Sequence, residues 1–228
     1  SLIWAAGVFF FFGYEIKVTF KPFKKQYVYL GHYFGKTYPI IDSAMLDDKS
    51  EAIFKGDKKL QGGIYLIGYP NKAGFFEILV DKQQRFSVLA DTATLKKGVQ
   101  FVNSPDNEIF VSYQQHMAAK GKDITAAQQQ LKAATNKNDS AKWTEKLEKL
   151  DKEITEYRGE LIKKNPDNIL SALLLTMKEP QLTGRLKEPK TKADSLDAYN
   201  FYKGHYWDDV NFWDGRLSYT PFFEDKVD

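Results

Sequence analysis

The feature that most constrains this chain is a change of hydrophobic period at Asn103-Ser104-Pro105. Before it, apolar residues alternate in short runs broken by Gly, Pro and Asn, the pattern of half-buried strands. After it, they recur every three or four residues among Lys, Glu and Gln, the pattern of amphipathic helices. A chain of 228 residues is long enough for each half to bury a core of its own. The expected architecture is therefore α+β in two units. An antiparallel β-sandwich or open barrel occupies 13–103, and an α-helical domain containing a helical hairpin occupies 104–228.

Within the first half, Tyr14-Glu15-Ile16-Lys17-Val18-Thr19-Phe20 alternates strictly, and Lys21-Pro22-Phe23-Lys24-Lys25 reads as a turn. Gln26–Phe34 follows as a second strand, so the two are expected to form a hairpin. Further strands are expected over Thr37–Met45, Glu51–Phe54, Gly63–Tyr69, Phe75–Val80, Arg85–Ala90 and Gly98–Val102. No helix-length segment separates them, which predicts antiparallel pairing. Leu2–Phe12 (LIWAAGVFFFF) is an unbroken apolar run, too short to span a bilayer and of the length of a signal-peptide core. It is read as a signal remnant, with a buried first strand as the other reading.

In the second half, Ser104 stands as N-cap with Pro105 at the first helical position and Asp106 and Glu108 in the first turn. A helix is expected through Tyr113 and Met117, with an interruption at Gly121 and a second stretch over Ile124–Ala134. Asp139 or Ser140 is expected to cap the next helix. There Trp143, Leu147, Leu150, Ile154, Tyr157 and Leu161 are spaced four, three, four, three, four, an a/d seam flanked by Glu and Lys. A hairpin packed on the preceding helix satisfies that seam. So does a partner chain or a second copy, which makes Trp143, Leu147, Leu150, Ile154 and Leu161 a candidate partner surface. Asn165-Pro166 is expected to open a further helix, and Leu196–Tyr206 another.

Composition excludes several classes of function. There is no cysteine, so thiolate nucleophiles, disulfides and zinc-thiolate sites are absent from the chain. A net charge of +3, with Lys and Glu interleaved, provides no field to recruit nucleic acid. No stable membrane span is expected, and no cofactor-binding motif occurs: Gly62-Gly63 lacks the further glycines and the Lys of a phosphate loop. His32 lies among aromatics in a strand and reads as packing. His205, Asp208, Asp209 and Asp214 lack a metal-binding loop spacing and read as caps and solvated acids. No catalytic residue is assigned. Tyr27, Tyr29, Tyr33 and Tyr38 form the candidate ligand-stacking set, for a sugar or a peptide.

A resemblance accompanies these readings. The β half, through Tyr14-Glu15-Ile16, Tyr27-Val28-Tyr29-Leu30, Ile41-Asp42-Ser43-Ala44, Ala52-Ile53-Phe54-Lys55-Gly56 and Gly63-Ile64-Tyr65-Leu66, resembles a domain of unknown function in Bacteroidetes envelope proteins. That domain stands at the N-terminus of thioredoxin-like thiol-disulfide oxidoreductases. The α half, at Tyr202-Lys203-Gly204-His205-Tyr206-Trp207-Asp208 and Arg216-Leu217-Ser218-Tyr219-Thr220-Pro221-Phe222-Phe223, is similar to the helical segment that follows it. The resemblance implies a periplasmic or envelope address and a non-catalytic accessory role. Its partner would be a downstream thioredoxin-like domain or another protein, with homodimerisation as a further expectation. The family's redox step needs a Cys-x-x-Cys pair that this chain lacks, so the expectation is that the sequence stops short of the redox domain. Asp-Ser/Thr followed by a small or aliphatic residue, similar to the O-glycosylation motif of such secreted proteins, occurs at Ser43, Thr92, Ser140 and Ser195. Asx-turns and helix caps account for the same residues.

Overall fold

The computed structural model describes residues 13–221 and residue 226 of the chain. The apolar run Leu2–Phe12 and the Phe222-Phe223 pair therefore lie outside the described residues. The architecture is α+β: strands first, then helices. The strands are β1 (Tyr14–Lys21), β2 (Tyr27–His32), β3 (Ile40–Met45), β4 (Glu51–Gly56), β5 (Gly63–Gly68), β6 (Phe75–Val80), β7 (Arg85–Asp91) and β8 (Gln100–Val102). The helices are α1 (Pro105–Ala133), α2 (Lys137–Lys164), α3 (Ile169–Thr176) and α4 (Lys192–His205). The chain divides into two compact units that meet inside α1, between Gln115 and His116, about a dozen residues beyond the change of period.

In the first unit the strands form two four-stranded sheets, ordered β4-β1-β7-β8 and β3-β2-β5-β6. Alternation puts Ile16, Val18 and Phe20 of β1 and Val28 and Leu30 of β2 into one core, all fully buried. The Phe20 ring meets Tyr69 at 5.2 Å and Phe76 at 5.6 Å, both edge-on, so the sheets interdigitate through aromatic contacts.

Two expectations about pairing are corrected. The first two strands form no hairpin. β1 pairs with β4 and β7, whereas β2 pairs with β3 and β5, because the link between them carries the chain from one sheet to the other. Both strands have a fully apolar face, and opposite sheets let both faces close on the same core. Lys25, with φ 52, helps turn that link. Pairing is also not antiparallel throughout, since β1 and β7 run parallel. The crossover such a pair needs is supplied by the whole second sheet rather than by a helix.

The edge of β6 is capped at Leu79 by a side chain. The Leu79 N–H donates to Asn107 Oδ1 at 2.7 Å, and Asn107 Nδ2 donates back to the Leu79 carbonyl at 2.8 Å. Nδ2 also donates to Ser104 Oγ at 2.8 Å, so Ser104 supports the amide at the start of α1. Asn107 is fully buried and mimics a strand's backbone in the ladder. Gln84 repeats the device on Leu60, accepting from its N–H and donating to its carbonyl, both at 2.8 Å.

In the second unit α1 and α2 pack as an antiparallel hairpin. His116 stacks on Tyr157 with centroids 3.9 Å apart, and Lys120 pairs with Glu153 one turn further along. The expected break at Gly121 does not occur: α1 is continuous, and nothing lies within 4 Å of where a Cβ would stand there. Met117, Lys120, Ile124, Ala127 and Leu131 form a seam spaced three, four, three, four. A lysine at one seam position hid that pattern. Helix starts also differ from expectation. Asn136, not Asp139 or Ser140, caps α2 by accepting from the Asp139 N–H, and Asn168, not Asn165, caps α3. A Thr191–Asp194 capping box starts α4 well before Leu196.

Replacing Asn107 with Leu should strand both Leu79 backbone groups out of reach of water. Urea unfolding is expected to show a loss of about 3 kcal/mol with an unchanged m-value. A loss below about 0.5 kcal/mol would mean that the amide pairing contributes nothing.

Candidate functional site

The sequence-predicted residues fall in three places: one face of the sheet β3-β2-β5-β6, the helical seam, and scattered turns. On the sheet, Val28 and Leu30 point to the core, so Tyr27 and Tyr29 lie on the outer face. Register places Tyr29 opposite Ser43 on one side and Gly68 on the other, and Gly68 in turn opposite Phe75. The Tyr29 side chain lies close over Gly68, where a Cβ would come within 3.3 Å of it. The Lys72 ammonium stands 4.7 Å above the Tyr29 ring.

On this outer face Ile64 and Leu66 are buried, although their strand positions point away from the inter-sheet core. Beside them Glu77, opposite Leu66, accepts from the hydroxyl of the buried Tyr33 and from Gln114 Nε2 of α1, the latter at 2.7 Å. Other residues of this sheet and its loops are exposed. Tyr27 is 47% and Tyr38 53% exposed, and Ile40, Met45, Phe34 and Phe75 are also exposed. Tyr38 contacts Phe75 at 5.6 Å and Tyr33 at 5.4 Å. Exposed apolar and aromatic surface of this kind is the signature of a binding face.

The stacking set is corrected at one position. Tyr33 is buried, with its hydroxyl donating to Glu77, so it offers no ring to a ligand. Burial, then the hydrogen bond to that carboxylate, pushes the Tyr33 phenol well above the ordinary tyrosine range. It braces Tyr38 from beneath instead. Phe75, opposite Gly68 and in contact with Tyr38, also belongs to the face and was missed, because strand alternation alone does not show which outer positions stay exposed.

Along α2, Leu150 is 1% exposed and Ile154 is buried, while Trp143, Leu147 and Leu161 are half-buried. The centre of the proposed partner surface is thus interior to this chain. Trp143 and Lys146 face Ala127 and Gln130 across a groove of about 570 Å³. Of the candidate glycosylation positions, Ser43 on β3, Thr92 in the turn after β7 and Ser195 in the first turn of α4 are exposed, and Ser140 in the first turn of α2 is half-buried. Their preceding acids are engaged locally: Asp42 accepts from the Ser43 N–H, Asp91 from the Ala93 N–H, and Asp194 belongs to the α4 capping box.

His32 is buried, its Nδ1 2.8 Å from the Tyr33 carbonyl oxygen. The acids near the end of α4 each have a basic side chain as partner: His205 with Asp208, Lys178 with Asp209, and Arg216 with Asp214. Among the described residues no group of three or more His, Asp or Glu is placed to hold a metal ion, and no helix is long and apolar enough to cross a membrane. Comparison with protein-family models, curated proteins and solved structures gave no match.

Two expectations follow for the hairpin. Leu150→Asp combined with Ile154→Asp should abolish the helical signal of the second unit in circular dichroism, whereas loss of self-association alone would return the seam to a partner. The Lys120 ammonium, chiefly by its hydrogen bond, holds the Glu153 carboxyl below the ordinary glutamate range. Its stabilising contribution is fully present above that range and is lost as pH falls through the lowered value. Glu153→Gln should therefore flatten the acid limb of thermal stability against pH; an unaltered limb would remove this pair from the account.

Proposed function

We propose that this chain is a non-catalytic interaction region of a cell-envelope thioredoxin-like thiol-disulfide oxidoreductase, holding a partner or substrate polypeptide for a redox domain that lies elsewhere. The observation that carries the reading is the exposed part of the sheet face. Tyr27, Tyr38, Phe75, Ile40 and Met45 leave apolar surface in water. Such a surface is costly in isolation and is retained where something docks on it. A face of aromatic, Met and aliphatic side chains suits the apolar side chains of an unfolded or extended polypeptide. The absence of cysteine supports a holding rather than a reacting role, since thiol exchange needs a thiolate. The envelope address rests on the sequence resemblance, and O-glycosylation at the exposed Ser43, Thr92 and Ser195 belongs to the same reading.

A second reading is a stand-alone envelope module binding glycan or peptide. It is favoured by the Tyr38–Phe75 ring pair, which presents aromatic surface without any need of a second domain.

The native gene distinguishes the two: a Cys-x-x-Cys pair encoded beyond residue 228 is required by the first reading, and a stop codon there ends it. With that pair present, Tyr38→Ala in the full-length protein is expected to raise KM for an unfolded, disulfide-bonded polypeptide about five-fold at unchanged kcat. An unaltered KM would refute the holding role.

A further inference from the structure

On the sheet β4-β1-β7-β8, alternation sends Val18 and Phe20 of β1 and Val88 and Ala90 of β7 into the core. Thr19, Lys21, Leu89 and Asp91 therefore lie on the outer face. Register sets Thr19, Leu89 and Gln100 side by side across β1, β7 and β8, with Lys21 beside Asp91 in the next outward row. These rows stand where the parallel strands β1 and β7 end. They floor a cavity of about 490 Å³, walled by Thr94, Lys97 and Gly98 of the loop after β7 and by Gln115 of α1. The loop wall is held in place. Gln115 Nε2 donates to the Lys97 carbonyl, and the Thr92 N–H donates to the Lys21 carbonyl at 3.0 Å. Gly98 has φ 96, and a Cβ there would stand 2.6 Å from Gln115 Nε2 and 2.9 Å from Val111 Cγ1. Glycine thus lets the loop lie against α1.

Charge in this cavity is unbalanced. Two lysines, Lys21 and Lys97, and one acid, Asp91, line it. Asp91 Oδ1 is taken by the Ala93 N–H at 2.8 Å. The next acid along the floor, Glu51 opposite Thr19, is taken by Lys17 at 2.9 Å. Among the described residues, neither the Lys21 nor the Lys97 ammonium has a hydrogen-bonding or ion-pair partner. The Thr19 and Thr94 hydroxyls and the Gln100 amide have none either. Two cations and three neutral polar groups are thus gathered around one cavity and left unsatisfied by the chain itself.

We infer that this cavity binds a small organic acid with two or more carboxylates, Lys21 and Lys97 each pairing with one of them. Its volume lies in the range of small-molecule sites, about 300–1,000 Å³. An ammonium is a compact point charge that pairs well with a carboxylate, and two on separate elements suit two acidic groups on one short carbon frame. Leu89, 38% exposed in the floor, offers apolar surface to the methylene groups between them. Thr19, Thr94 and Gln100 offer partners to a hydroxyl. Phosphate is served less well, since it is held best by an arginine fork or a run of free backbone N–H groups. Among the described residues no arginine lines the cavity. The N–H groups of Thr92, Ala93, Thr94, Lys97 and Gly98 are all spent on oxygens of the chain. The cavity lies on the other sheet from the aromatic face and does not depend on the role proposed for that face.

The test is a titration of the full, nitrogen-15-labelled chain with succinate, citrate and inorganic phosphate at constant ionic strength, followed by amide chemical shifts. Succinate or citrate should move the amides of residues 91–100 saturably, with Kd of about 1 mM or lower. Lys21→Gln and Lys97→Gln should each weaken that binding at least about five-fold. Both side chains are exposed, so both variants are expected to keep the wild-type unfolding midpoint, and lost binding cannot be confused with lost folding. Saturation by neither carboxylate overturns the proposal. So does carboxylate binding that both variants leave unchanged. Saturation of the same amides by phosphate alone overturns it in favour of a phosphate site.

Discussion

The structure of the first unit depends on one buried amide. By accepting from the Leu79 N–H and donating to its carbonyl, Asn107 caps the β6 edge at that residue, and it does so from the first turn of a helix. Leu79 thus leaves no backbone group unpaired at the edge. The start of α1 is fixed against the sheet to within a hydrogen bond. Further along α1, Gln114 donates to Glu77 of β6. The same carboxylate accepts from the hydroxyl of the buried Tyr33, whose ring meets the exposed Tyr38.

The second unit solves a different problem. A two-helix hairpin with a narrow seam specifies its register weakly, because sliding by one heptad places similar residues together. Lys120 occupies a seam position and pairs with Glu153 across the hairpin, while His116 stacks on Tyr157. Each contact is correct in one register only. Leu150 and Ile154 then close the core, and α3 adds the strongly apolar Ile169, Leu170, Leu173 and Leu174, all buried. Beyond it, the Asp214–Arg216 pair holds the segment that displays Trp213.

Much of the fold was legible in local sequence. All eight strand positions follow from short apolar or alternating runs between turn residues, and the seam on α2 follows from heptad spacing. Helix starts were less legible. Asn136, Asn168 and Thr191 are all good caps, but each has rival Asn, Asp or Ser residues within a few positions, and which one caps depends on how the following turn packs. The seam on α1 was hidden by Lys120, whose place there makes sense only with Glu153 opposite. Of the stacking residues, Tyr27 and Tyr38 were legible as exposed aromatics, but Tyr33 was not separable from them, because alternation distinguishes two faces and not what covers either.

By itself, then, the sequence determined the two units, the elements within them, and the absence of thiol chemistry. These depend on local period and on residue identity, which no tertiary contact can alter. Only the tertiary structure decided that β1 and β2 lie in opposite sheets, that β1 runs parallel to β7, and that α1 passes unbroken from one unit into the other. It also decided which aromatic side chains remain in water. Pairing and coverage are choices among partners far apart in the chain. They are settled by which arrangement buries the most apolar surface while leaving no backbone group unsatisfied.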